Sequence, residues 1–508
     1  MRINEEKLKG IIEELTLDKE QLNEIASALR FDMELALRGE EASMPMLCSY
    51  IGMPNGQEKG EFLALDFGGT NLRAELVSLK GDCQYEIVKM VAKPLVTEEY
   101  NLINGSASAE QVFDFIADMF AELLAGAEKK TYYLGHTFSF PSKQTDIYNA
   151  RLIVRTKEFA IPGVEGEIVK MVAKPLVTEE YNLINGSASA EQVFDFIADM
   201  FAELLAGAEK KTYYLGHTFS FPSKQTDIYN ARLIVWTKEF AIPGVEGEVV
   251  NDLLQAALNR KGLENVKVVA VINDTVAELL TAGYQYPDTQ IGCIYATGSN
   301  NCYMERTSAA DRPAAIINME SGSFNKLVPS QWDNQLDAES ERPGNQRLEK
   351  MVSGRYMGEL LSLTVQAVMD LPERPDFNAI DMSGIMSDTS ATAADAAKVI
   401  SAKIGELQPG EAAYIRDLTE TIAIRSARIV AACFAGILWH LSGSGKIAEQ
   451  HIAIDGSVYE HMPHIKESLN KGLSELLGEE AAAVTPMLLK DGSGLGAAIA
   501  AAVASKDL

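Results

Sequence analysis

Short apolar runs that stop abruptly at an Asp, a Thr or a pair of glycines recur along this chain, and helical spacing takes over after several of them. Phe62-Leu-Ala-Leu65 runs into Asp66-Phe-Gly68-Gly69-Thr70-Asn71-Leu-Arg73, and Val268-Val-Ala-Val-Ile272 into Asn273-Asp274-Thr275. Ile294-Tyr-Ala296 meets Thr297-Gly298-Ser-Asn300, and Ile452-Ala-Ile454 meets Asp455-Gly456-Ser457. Lys490-Asp491-Gly492-Ser493-Gly494 opens an Ala-rich helix, and Leu22, Ile25, Leu29, Met33 and Leu37 mark an amphipathic helix near the N-terminus. Strands alternating with helices predict an α/β fold. Residues 380–412, rich in Ala, Ser and Asp, read as one helix plus a surface loop.

Glycines at a strand end let backbone N–H groups approach an anion with no Cβ in the way, and a turn gathers several such donors into a concave nest. Gly68, Gly69 and Thr70 suit a phosphate in that way, with Asp66 at the strand end facing a cation. A Gly-Gly-Thr turn is also an ordinary hairpin connection, and Asp274 would ordinarily be read as a helix N-cap. Four such strand ends in one chain favour the ligand-binding reading.

One feature is abnormal. Residues 86–166 recur at 167–247, with Arg155 against Trp236 as the only mismatch. Two near-identical copies in an otherwise single-copy chain are a tandem duplication and not a solenoid, whose repeats are shorter and diverged. The 508 residues less one 81-residue copy leave 427, a length suited to a two-lobed enzyme. Each copy carries a strand, an amphipathic helix and a further strand. In the first, Ser108 and Gln111 form a capping box ahead of Val112, Phe115, Ile116, Met119, Leu123 and Leu124. Either one copy serves the fold and the other is an insert, or the duplication is an artificial event and the natural protein has one copy. Closing an 81-residue loop costs only roughly 4 kcal/mol plus a constant, so entropy permits the insert.

The order of motifs resembles the hexokinase family of the actin-like ATPase superfamily over most of the chain. Ser43-Met44, Pro54-Asn55-Gly56 and Glu58-Lys59-Gly60 lead into the first glycine turn as they do there. Phe219-Ser220-Phe221-Pro222, Trp236-Thr237-Lys238-Glu-Phe240, Gly244-Val-Glu-Gly247, Asn273-Asp274-Thr275, Thr297-Gly-Ser-Asn300, Asn318-Met-Glu320, Pro343-Gly344 with Glu349-Lys350, Tyr356-Met-Gly358-Glu359 and Asp455-Gly-Ser-Val-Tyr459 follow in family order.

The resemblance implies a two-lobed actin-like ATPase (ribonuclease H-like) fold, with mixed sheets flanked by helices. It implies a small lobe over 52–273, completed by a terminal helix at 489–508, and a large lobe built from 1–51 and 274–488. The implied activity is ATP-dependent phosphorylation of a hexose, glucose foremost, at its 6-hydroxyl. The alternative is a non-catalytic, sugar-sensing relative.

Under that resemblance Asp274 is the catalytic base that accepts the hydroxyl proton, a group such a poor nucleophile requires. Lys238 contacts sugar and phosphoryl oxygens. Ser220, Thr237, Asn273, Asn300, Glu320 and Glu349 bind the sugar. Asp66, Gly68, Gly69, Thr70, Asn71, Arg73, Thr297, Gly298, Asp455, Gly456, Gly492, Ser493 and Gly494 line the nucleotide, with Asp66 holding Mg²⁺ through water, as a hard cation that keeps its hydration prefers. Copy two runs directly into the Asp274 strand and keeps Trp236, so Ser220, Thr237 and Lys238 are favoured over Ser139, Thr156 and Lys157 of copy one, while the strand near Glu86 joins the first hairpin. Departures from the family pattern are Ala296 in place of a usual Gly, Ser321-Gly-Ser323 after Glu320, and Asn325 after Phe324. They bear on sugar preference and ATP affinity.

Composition changes this picture little. With 72 acidic against 45 basic residues the net charge is −27, which disfavours nucleic acid as a partner. Five scattered cysteines without a Cys-x-x-Cys pair give no disulfide framework or zinc site. Neither a signal peptide nor a membrane-spanning run is expected, so a cytoplasmic location follows as an expectation.

Overall fold

The computed structural model describes residues 3–67, 71–94, 134–138, 143–144, 150–151, 190–191, 194–195, 198, 213–218, 223–233, 247–260, 262, 264, 266–307, 314–489 and 492–504. Two compact units emerge. The first comprises residues 1–46, 288–303 and 318–490, and the second 47–287, 304–317 and 491–508.

In the first unit, the parallel strands Ile291–Tyr295, Gln450–Asp455 and Val484–Leu488 lie side by side, and Ser299–Glu305 folds back antiparallel on Ile291–Tyr295. The parallel register sets Ile294 beside Asp455. Two strand-end turns, Ala296–Gly298 and Asp455–Gly456, therefore emerge next to each other. Gly456 has φ +135°, and a Cβ there would run into the Tyr295 carbonyl, so only glycine fits this crossing.

The helical layer centres on Glu411–Ser442, 32 residues long. It is long and apolar enough by length and composition to cross a membrane, contrary to the expectation from sequence. Most of its apolar surface is buried within the unit, where it packs against Lys19–Leu37 and Ile465–Leu477. Its Gly436 lets the Ala26 carbonyl approach to where a Cβ would stand 2.6 Å away. Lys19–Leu37 begins with an Asp18–Gln21 capping box and buries Leu22, Ile25, Leu29 and Met33 of the predicted stripe, while Leu37 at its end is half-buried. Residues 380–412 hold two helices where one was expected, Ala379–Met386 and Ala394–Ile404. Asp388 between them accepts the N–H groups of Ser390, Asp395 and Ala396 and so starts the second.

In the second unit, Lys59–Phe67, Asn71–Gly81 and Gln84–Pro94 form an antiparallel meander, with Leu134–Phe138 parallel to Lys59–Phe67 on its other side. The strand near Glu86 thus joins the first hairpin as expected. Tyr213–Thr218 pairs in parallel with Val266–Ile272, Thr218 opposite Ile272. The duplicated strand is consequently used twice, copy one beside Lys59–Phe67 and copy two beside Val266–Ile272. The hairpin after it also forms twice in one register: Lys143 faces Arg151 in copy one, and Lys224 faces Arg232 in copy two.

The terminal helix Gly492–Ala504 lies against the parallel strands Lys59–Phe67, Leu134–Phe138, Tyr213–Thr218 and Val266–Ile272 and against helix Asp274–Gln285. The contact with Asp274–Gln285 is close because Gly496 faces the Ala277 carbonyl, where a Cβ would collide. Thr281 Oγ1 donates 2.6 Å to the Gly492 carbonyl and ties the two helices at that end. In copy two, Ala190, Phe194 and Ala198 are buried at helical spacing, and Arg260 Nε donates 2.6 Å to Asp195. The copy-one helix predicted at Ser108–Leu124 lies outside the described residues.

Candidate active site

The richest polar constellation lies in the first unit, where a sheet strand meets a tight turn. Asn300, on Ser299–Glu305, donates through Nδ2 to Asn318 Oδ1 at 2.8 Å, and Asn318 Nδ2 donates to Glu320 Oε1 at 2.8 Å. Asn300 Oδ1 accepts the Asn301 N–H at 2.8 Å and the Ser321 N–H at 3.1 Å, which fixes the amide orientation. Glu320 stands at φ +51°, in the left-handed region where a non-glycine residue is strained, and opens the one-turn 3₁₀ helix Ser321–Ser323. Ser321 Oγ accepts from Asn301 Nδ2 at 2.9 Å and Ser323 Oγ donates to the Glu320 carbonyl at 2.7 Å. The Ser-Gly-Ser departure thus supplies the hydrogen bonds that hold the turn.

Glu349 enters this cluster from the short helix Arg347–Val352. Burial pushes its carboxyl above the usual range and the nearby Glu320 carboxylate adds to the shift, while the Ser299 N–H that it accepts works the other way. Two carboxyl groups and two amides gathered in one place suit a ligand rich in hydroxyls, since carboxylates accept hydrogen bonds and amides both accept and donate them. Gly298 leaves room for Glu349: a Cβ there would stand 2.8 Å from Oε1. The Thr297 carbonyl accepts the Arg355 N–H at 3.2 Å and the Ala296 carbonyl the Gly354 N–H at 2.9 Å, so the Thr297-Gly298 turn is docked on the start of helix Gly354–Met369.

The other candidate chemistry is in the second unit. Helix Asp274–Gln285 is capped by Asn273, whose Oδ1 accepts the Thr275 N–H at 2.8 Å. The cap is therefore Asn273 and not Asp274, the alternative weighed from sequence. Asp274 is half-buried at the first helical position, and its Oδ1 shares the Thr275 N–H at 2.8 Å. This anchors one carboxylate oxygen at a helix N-terminus, where negative charge is favoured.

Asp66 is the penultimate residue of the strand Lys59–Phe67, in register with Arg73 across the hairpin and with Thr137 on its other side. The backbone of Asn71 and Arg73 is placed on the return strand, while the side chains of Asp66, Asn71 and Arg73 fall outside the described residues. Gly492, Ser493 and Gly494 form the first turn of the terminal helix, which starts at Gly492. Gly68, Gly69, Thr70, Ser220, Thr237 and Lys238 lie outside the described residues, as do Ser139, Thr156 and Lys157.

Within the first unit the structure brings together Asn300, Glu320 and Glu349, with Thr297 and Gly298 beside Glu349. Asn318 links them. It stands in a motif legible in the sequence, Asn318-Met-Glu320, but its role as a bridge between Asn300 and Glu320 needs the strand register. Asp337 carries no sequence signal of its own. It is buried and accepts Lys350 Nζ at 2.6 Å, Arg347 Nη1 at 2.7 Å and the Gly344 N–H at 2.9 Å.

Two family models, both described as Hexokinase, match this chain, one over residues 290–503 and the other twice, over 7–186 and 177–284. Hexokinase-7 of Oryza sativa subsp. japonica is 31% identical over 99% of this chain and 98% of its own length. Hexokinase-1 of Schizosaccharomyces pombe is 29% identical over 98% of this chain and 91% of its own. A hexokinase crystal structure superposes with a TM-score of 0.72 at 27% identity, covering 98% of this chain and 99% of that one. The hexokinase of Schistosoma mansoni, solved in complex with glucose, does so with a TM-score of 0.69 at 27% identity, covering 98% of each chain.

Proposed function

The chain belongs to the hexokinase family and is a sugar kinase, and we propose that it transfers the terminal phosphoryl group of ATP to the 6-hydroxyl of a hexose, with glucose as the principal acceptor. The observation that carries the choice of acceptor is the preformed chain Asn300–Asn318–Glu320 with Glu349 beside it. Every link is a charged or amide group able to meet a hydroxyl. A pocket of this kind discriminates by leaving its polar groups unpaired when the matching hydroxyl is missing. Glucose in the Schistosoma mansoni complex supports the same class of ligand.

Asp274 takes the hydroxyl proton as the 6-oxygen attacks phosphorus. Its carboxylate is held by the Thr275 N–H, so the free oxygen is oriented before the sugar arrives. Copy two supplies Ser220, Thr237 and Lys238. This is supported by the pairing of Tyr213–Thr218 with the strand that leads into Asp274. The nucleotide contacts assigned by family resemblance are Thr297, Gly298, Asp455 and Gly456 at two adjacent strand ends of the first unit and, in the second, Asp66, Gly68, Gly69, Thr70, Asn71, Arg73, Gly492, Ser493 and Gly494. Asp66 would hold Mg²⁺ through the ion's water shell, and the ion would supply charge neutralisation for the phosphates. A cytoplasmic place at the entry to glycolysis is consistent with this activity.

The test is glucose-dependent ADP formation with Mg-ATP in the wild type and Asp274→Asn. Asn keeps an oxygen for the Thr275 N–H, so the variant should fold and bind glucose while kcat falls about 10²- to 10⁴-fold. Full turnover in Asp274→Asn would remove the base assignment. No turnover of any hexose by the folded wild type would remove the acceptor assignment.

A further inference from the structure

Glu349 stands on a helix of only six residues, Arg347–Val352, that is preceded by an exposed loop and lacks a side-chain cap at Gln346. A single turn and a half does not hold itself in water. Its geometry must come from outside, and besides the packing of Leu348, Met351 and Val352 one buried carboxylate gathers three contacts around it. Asp337, near the end of helix Gln331–Glu339, accepts Lys350 Nζ at 2.6 Å, Arg347 Nη1 at 2.7 Å and the Gly344 N–H at 3.1 and 2.9 Å on its two oxygens. Lys350 is buried as well and also donates 2.7 Å to the Arg342 carbonyl. The three anchored positions, 344, 347 and 350, bracket Glu349.

We propose that Asp337 is a positioning residue for hexose binding, acting through Arg347 and Lys350 to hold Glu349 against the Ser299 N–H. The proposal rests on the reading of Glu349 as a sugar-hydroxyl acceptor. Two cations converge on Asp337, so its charge also keeps Lys350 turned away from Glu349. Without it, the Lys350 ammonium is left buried beside a carboxylate that faces the sugar, and the two would pair.

The experiment compares wild type, Asp337→Asn, Lys350→Met, Glu349→Gln and the double variant Asp337→Asn/Glu349→Gln. In the absence of sugar, hydrogen exchange at the Ser299 amide should quicken about tenfold in Asp337→Asn, with the amides of Ile291–Tyr295 unaffected. In turnover, the glucose KM should rise up to about tenfold in Asp337→Asn and in Lys350→Met while the ATP KM holds, no more than loss of the Glu349 charge itself produces. The Asp337→Asn change should add little in the Glu349→Gln background. A packing role alone would instead affect both KM values or neither, and would be additive with Glu349→Gln. Unchanged Ser299 exchange, or an additive effect, overturns the proposal. Quickened exchange in a protein that binds no hexose keeps the positioning role and removes the acceptor reading of Glu349. If Asp337→Asn does not fold, Lys350→Met decides by the same readouts.

Discussion

Replacing Glu349 by Gln should move sugar affinity and protein stability in opposite directions. The substitution keeps shape and leaves an oxygen for the Ser299 N–H, so only the charge is lost. A hydrogen bond to an ionised acceptor contributes roughly 1.5–3 kcal/mol against about 0.5–1.5 for a neutral one. The difference of about 1–1.5 kcal/mol corresponds to a glucose KM some five- to thirteenfold higher. Stability goes the other way. Burial and then Glu320 raise the Glu349 carboxyl above its ordinary value of 4.5 in the folded protein. As pH rises, the unfolded chain loses this proton first, so the folded state binds more protons and stability declines until the raised folded value is passed. Gln does not ionise. Glu349→Gln should therefore melt at a higher temperature than wild type at pH 7, with the gap closing as pH falls below 4.5. Wild-type glucose affinity should weaken as pH falls through the raised folded value, and the variant's should not. Coupled ADP-release kinetics and thermal melts across the pH range measure both. A variant that is less stable at pH 7, or one with unaltered glucose KM, would refute the reasoning.

Arg425 grips Asp333 through two bonds of 2.8 and 2.7 Å, both side chains 2% exposed. Asp333→Leu should cost about 3–5 kcal/mol in urea denaturation by stranding the guanidinium, and Asp333→Leu/Arg425→Met should recover most of it; equal losses in both would show that the pair is not coupled. Gly496→Ala should lower the melting temperature by forcing the terminal helix off Ala277, at about 1–3 kcal/mol for overpacking, read in the same denaturation. Lys238→Ala should abolish hexose phosphorylation while Lys157→Ala retains it, and the reverse pattern in steady-state assays would assign the sugar site to copy one.

Much of the fold was legible where chemistry and period coincide. The strand ends at Asp66, Ile272, Tyr295 and Asp455 were readable because each apolar run stops at a residue unfit for a buried strand, and Leu22 to Met33 because the period is helical over three turns. That Asn300 and Glu320 belong to one site was suggested by motif order, while the Asn318 bridge between them was not. What escaped is what depends on three-dimensional convergence. Asp337 and Asp32 look like any helix-surface acid, yet both are buried: Asp32 binds Lys326 and accepts the N–H groups of Ser43 and Met44 at 3.0 and 3.1 Å, so the segments before and after the sheet are clasped together. The second helix in 380–412 escaped because its start is set by Asp388, a loop residue whose partners follow it. Glu349 had weight only from its neighbours Pro343-Gly344 and Lys350, and those neighbours are the ones Asp337 holds.

The duplicated strand has a consequence for how the chain reaches its native state. Leu134-Gly-His-Thr137 and Leu215-Gly-His-Thr218 are the same four residues, one set beside Lys59–Phe67 and the other beside Val266–Ile272. To an unfolded chain the two slots offer no side-chain discrimination between the copies. Only the lengths of the intervening segments decide which strand docks where, and those lengths alter closure entropy only logarithmically. Molecules that thread the wrong copy first must undo a parallel pairing, a slow and aggregation-exposed step. Refolding of the 508-residue chain should accordingly split into a direct phase and a slower corrective one, and removal of either copy should leave the direct phase alone.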